Sequence, residues 1–78
     1  MKYDTDKVDD MVLALLYLAT LTDRNGSRAW KSHDWEALDR LHAKGYIGNP
    51  KSKAKSVVVS EEGAQCSREM FEKYFGIE

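Results

Sequence analysis

The 78-residue chain predicts a small α+β domain of three helices, a short edge strand and a β-hairpin, and three observations carry that reading. Apolar residues recur at helical spacing in three separate stretches. A Lys-Gly-Tyr-Ile step at residues 44–47 stops the second of them. A turn at Gly48-Asn49-Pro50 and a β-branched run at Val57-Val58-Val59 then frame a hairpin.

The first helix opens around Asp6, which caps free amides, while Asp9 and Asp10 sit in the first turn near the positive end of the helix dipole. Val8, Met11, Val12, Leu15, Leu18 and Ala19 trace one apolar stripe, but Leu13, Leu16, Tyr17 and Leu21 make the other side apolar too. Such a helix needs cover on more than one side. It is read as a central core helix, with a second copy of the chain as the alternative source of cover.

Asp23 to Ser27 form a turn-rich break, and Arg28, Ala29, Trp30 and Lys31 alternate as a short edge strand. Ser32 or Asp34 caps the second helix. There Trp35, Leu38 and Leu41 share a face, and Glu36, Asp39, Arg40 and Lys44 take the wet side. Gly45 suits the left-handed C′ position, which sets Tyr46 against Leu41 in a Schellman ending. Tyr46-Ile47 and Val57–Val59 are the arms of the hairpin, and residues 51–55 are its lysine-spaced tip. Ser60 caps the last helix, Met70, Phe71, Tyr74 and Phe75 supply its apolar side, and Gly76 ends it.

Composition bounds the function classes. With 42% hydrophobic and 32% charged residues the chain is an ordinary globular protein, and its length fits one domain over residues 1–78. The apolar stretch from Met11 to Leu21 is far short of the roughly 20 residues that cross a bilayer. The lone Cys66 has no disulfide partner and no secretory leader is visible, so the expected location is the cytoplasm. A net charge of −1 gives no whole-molecule pull towards a polyanion, and nucleic-acid binding would need a local patch.

The stretch from Trp35 to Gly63, with its Lys-Gly-Tyr-Ile corner, two-armed wing and Ser-x-x-Gly step, resembles the second half of a winged-helix domain. Taken whole, with RAWK and DWEALDRLH joined to KAKSVV, the chain also resembles a family of short bacterial proteins of unknown function. The winged-helix resemblance implies a recognition role for the second helix and phosphate contacts from Lys51, Lys53 and Lys55 on the wing. Between Leu21 and Ser32, however, there is room for a turn and a short strand and hardly for the further helix of that fold.

The wing lysines are the leading candidate site, because alternate positions of an extended segment project to one side. The plain alternative is a hairpin tip kept soluble by charge. Arg24, Arg28 and Lys31 would extend the patch if their strand pairs beside the hairpin. Trp30 and Trp35, if exposed, could stack on bases or clamp a peptide; in so small a domain they are assigned to the core. His42 near Asp39 and His33 beside Asp34 lack an accompanying nucleophile and are read as histidines with local hydrogen bonds. Cys66 and two distant histidines lack chelating spacing. No catalytic, cofactor-binding or metal-ligating residue is assigned, and no enzyme activity, cofactor, membrane contact or small-molecule substrate is expected.

Two functions compete. The first is a nucleic-acid-associated or regulatory module that touches duplex DNA through Lys51, Lys53, Lys55, Arg28 and Arg40. The second is a protein-interaction or homodimerisation module that uses Tyr17, Phe71, Tyr74 and Phe75.

Overall fold

Asp4 opens the first helix: its carboxylate accepts the Lys7 amide at 3.0 Å, so α1 runs Thr5–Ala19 and its cap stands two residues before the expected Asp6. The computed structural model describes residues 1–77. After α1 come β1 (Thr20–Asp23), β2 (Gly26–Trp30), α2 (Trp35–Ala43), β3 (Ser56–Val59) and α3 (Glu61–Phe75). Three helices and a three-stranded antiparallel sheet make the expected α+β architecture, consistent with a small winged-helix-like domain.

The sheet order is β1-β2-β3, and this corrects the reading of residues 28–31. That strand is central, and the edges are β1 and β3. Thr20 to Asp23 end the apolar run of α1 but pair with β2 from Thr20↔Ala29 to Asp23↔Gly26. The Asp23 carboxylate accepts the Asn25 amide at 2.7 Å, and Gly26 adopts a φ of 120°, which together close the turn. β3 pairs along β2 from Ser27↔Val59 to Trp30↔Ser56. Pairing between the two arms of the 46–59 segment is confined to an Ile47↔Val59 bridge and a Gly48 amide donated to Val58 O at 2.8 Å.

The corner between α2 and the wing follows the sequence reading closely. Gly45 takes a φ of 82°, Tyr46 N donates to Leu41 O at 3.1 Å and Gly45 N to His42 O at 3.0 Å, the two bonds of a Schellman motif. Asp34, not Ser32, caps α2 through the Ala37 amide. Ser60 caps α3 by accepting the Gly63 amide, and its hydroxyl donates back to Gly45 O at 2.7 Å. Gly63 lies against this corner so tightly that a Cβ there would collide with the Tyr46 carbonyl.

Leu16, Leu38, Leu41 and Val57 are fully buried, with Leu13, Ile47 and Val59 around them. Ser67 of α3 donates to Leu13 O at 2.8 Å inside the α1–α3 contact, where a small side chain lets the helices approach. Asp9 is fully buried, although its sequence position suggests a solvated first turn. Arg40 Nε meets its two carboxylate oxygens at 2.9 and 2.8 Å, and Lys44 Nζ reaches one at 3.3 Å. Burial alone would raise the Asp9 carboxyl, but these hydrogen bonds and the two positive charges outweigh it and hold the group below the usual carboxylate range.

Trp30 and Trp35 are not core residues: they are 55% and 61% exposed. On β2 the residue that points inward is Ala29, so its neighbour Trp30 must face out. Trp35 is the first residue of α2, beside the cap, where Ala37, Leu38 and Leu41 take the buried stripe. Among the described residues no helix is long and apolar enough to cross a membrane.

Candidate functional site

Strand alternation puts Arg28 and Trp30 on the outer face of the sheet, away from the helices. The register then sets Leu21 and Val58 on either side of Arg28, and Ser56 opposite Trp30. The result is an uncovered face with three exposed apolar side chains around Arg28: Leu21 is 75% exposed, Trp30 55% and Val58 49%. Together with Lys55 and the β1–β2 turn, these side chains line a shallow, half-open concavity of about 470 Å³. That lies within the roughly 300–1,000 Å³ span of small-ligand sites.

Arg28 is held in place at this site. Its Nε donates to Ser56 Oγ at 2.9 Å and its Nη2 to Ser56 O at 3.0 Å. A guanidinium carries five N–H donors, so three remain for a ligand, on a side chain whose direction is already set. Lys31 is held as well: its Nζ donates to Pro50 O at 2.7 Å and Ser52 O at 2.6 Å, and its amide to Lys55 O. These bonds tie the lysine tip to the end of β2. The partners are neutral, so both residues keep their charge unpaired.

The sequence-predicted cations therefore divide. Lys51, Lys53 and Lys55 are exposed, and Lys55 alone of the three lines the concavity. Residues 51–55 form turns and bends and not an extended strand, so alternate spacing does not aim the three lysines to one side. Arg28 joins Lys55, because β2 pairs beside β3. Arg40 stands apart, turned inward to Asp9, which raises its guanidinium above the usual value. What faces solvent on α2 is Trp35, Glu36, Asp39, His42 and Ala43.

Tyr17, Phe71 and Phe75 form a chain of tilted rings along the α1–α3 seam, with centroids 5.1 and 5.3 Å apart. Tyr74 lies half-buried beside them, with Lys73 Nζ 5.2 Å above its ring. A second, nearly apolar groove runs along α1 between Tyr3, Lys7, Met11 and Leu15. Sequence reading missed Leu21 and Val58 as site residues and, having weighed Trp30 for stacking on bases, assigned it to the core. The available signal was the two-residue period that puts Trp30 on the same side as Arg28. Among the described residues no group of three or more His, Cys, Asp or Glu side chains is arranged to hold a metal ion.

Comparison with known proteins gives a family. No solved structure matches the chain. It is 48% identical over 75 residues to "Uncharacterized protein y4hR" of Sinorhizobium fredii (strain NBRC 101917 / NGR234), covering 96% of this chain and 97% of that protein. A family profile aligns with residues 4–77, and on both grounds the chain belongs to the family described as "Domain of unknown function (DUF6429)".

Proposed function

We propose that this protein is a non-catalytic binding module, winged-helix-like in design, that takes nucleic acid on the half of the molecule formed by the sheet and the lysine tip. The observation that carries the reading is a separation of charge hidden in the net value. Residues 20–31 and 46–60 hold six basic side chains and one acid, Asp23, whereas the rest of the chain holds six basic and twelve acidic ones. The ion pairs of the described residues, Asp9 with Arg40 and Lys44 and Glu72 with Arg68, all belong to the helices. None of the six cations of the sheet half has a carboxylate partner among the described residues, so their charge remains for phosphates. The contact surface differs from the one a recognition helix would offer, because α2 presents Glu36 and Asp39 outward and keeps Arg40 for Asp9.

Fluorescence anisotropy of labelled oligonucleotides, in duplex and single-stranded form, tests the reading. The expected result is weak binding that falls steeply with salt and is reduced by Lys53→Glu, whose loss of a phosphate contact lowers the salt slope by about one. Absence of binding to either form at low salt rejects it.

A second reading rests on the aromatic chain Tyr17–Phe71–Phe75, whose outer members are left uncovered. It makes the helical layer a docking face for another polypeptide or a second copy. Association that ignores salt and is lost in Phe75→Glu supports this reading, and a strictly monomeric species that captures no partner opposes it.

A further inference from the structure

Resting on the nucleic-acid reading above, we propose that the ligand of the sheet face is a single strand, one of whose bases stacks on Trp30 while the neighbouring phosphates meet Arg28 and Lys55. Two features of the face select this occupant. The first is the pairing of an exposed indole with cations: Trp30 is 55% exposed, lies two residues along β2 from Arg28, and shares the concavity with Lys55. A flat aromatic surface beside positive charge is the arrangement that single-stranded nucleic acid uses, because every base offers a π-face and every linkage a phosphate. The second is accessibility. Bases in a duplex are stacked on one another, so a side chain lying on an open sheet reaches them only where the strand is unpaired.

The apolar neighbours fit the same occupant. Leu21 and Val58 flank Arg28 in the register, forming a floor on which a sugar or a second base can rest out of water. Ser56 holds the Arg28 guanidinium in position before any ligand arrives, so little side-chain entropy remains to be lost on binding. An acidic peptide would also answer to the charge, but it gives no role to the bare indole face.

The test uses Trp35→Phe protein, in which Trp30 is the only tryptophan, and four probes of equal length: a deoxythymidine strand, the same strand made abasic, a duplex, and polyglutamate. The thymidine strand is expected to quench Trp30 emission and to bind about tenfold more tightly than the abasic strand, stacking being worth about 1–3 kcal/mol per base. Trp30→Ala should remove that tenfold advantage and leave the salt slope unchanged, and Trp30→Phe should restore most of it. Circular dichroism shows whether each variant is folded, and the Phe variant keeps the test decisive should the Ala variant unfold.

Equal binding of thymidine, abasic and duplex probes, with no effect of Trp30→Ala, overturns the stacking site and leaves the phosphate-binding reading standing. Quenching by polyglutamate at least as strong as by the thymidine strand overturns it in favour of an acidic-peptide site. No binding of any polyanion at low salt removes both this inference and the reading beneath it.

Discussion

The corner at Gly45–Tyr46 is bonded to Ser60, two residues past the outer-face Val58 of β3, yet the corner and the outer face of the sheet are built on opposite rules. At the corner the polar groups pair with one another. Tyr46 O accepts from the Ser60 amide at 3.0 Å, Ser60 Oγ reaches Gly45 O, and Gly63 packs without a side chain against the same carbonyl. Nearby, Asp9 is paired with both Arg40 and Lys44 between α1 and α2. On the sheet face Leu21, Trp30 and Val58 are uncovered, and Arg28 and Lys55 carry unpaired charge. A protein of 78 residues has little apolar area to spare for stability, so leaving a tryptophan in water is a cost that binding can offset.

If the corner is what holds the helices to the sheet, its disruption should give the largest loss. In Gly63→Val the new side chain has to displace the Tyr46 carbonyl, and with it the Ser60 cap. The expected cost is at least about 3 kcal/mol, read as a lowered urea midpoint. A loss below about 1 kcal/mol would show that α3 can slide off the corner freely.

Asp9→Asn comes next. It leaves Arg40 and Lys44 facing a neutral group, and the expected cost is about 2 kcal/mol, below that of a pair sealed from water because both cations can turn outward. The pH dependence has a definite sign. A carboxyl held below its ordinary value of 3.8 in the folded protein contributes stability that is complete above that value. That contribution disappears as the pH falls through the lowered value. Acid titration of stability should therefore show a steeper loss below about pH 4 in the wild type than in Asp9→Asn. Parallel acid limbs for the two proteins would mean that the buried pair contributes nothing on folding.

The two regions also differed in how far the sequence revealed them. The corner is local: a glycine after the last helical turn, an aromatic next to it, and a serine three residues before a glycine each announce themselves within a few positions. Leu38 and Leu41 mark the buried stripe of α2 in the same way. The sheet face depends on partners far apart in the chain. That β2 lies between β1 and β3, and so presents Arg28 between Leu21 and Val58, cannot be read from any one segment. The strand Thr20–Asp23 was hidden at the end of an apolar helical run. Asp9 and Arg40 are 31 positions apart, and nothing near either one signals that an aspartate in a helix's second turn will be buried. The tryptophans were misplaced by size, since the largest apolar side chains are usually inside; period-two alternation around Ala29 was the better guide.

The finest test of the contrast uses two adjacent valines. Val57 is 2% exposed on the inner face of β3 and Val58 49% exposed on the outer face. Threonine matches valine in shape and in strand preference, so exchanging one for the other changes little except a hydroxyl in place of a methyl. At Val57 that hydroxyl enters the core beside Leu16 and Leu41 without an obvious partner, and the expected loss is about 1–3 kcal/mol. At Val58 it reaches water, and stability should change by less than about 0.5 kcal/mol. Binding to the sheet face should respond in the reverse sense, weakened by Val58→Thr and unaffected by Val57→Thr as long as the protein stays folded. Equal destabilisation at the two positions would mean that the outer face is itself covered in solution, by a second copy of the chain or by another part of it. The surface available to a nucleic-acid strand would then have to be sought on the lysine tip alone.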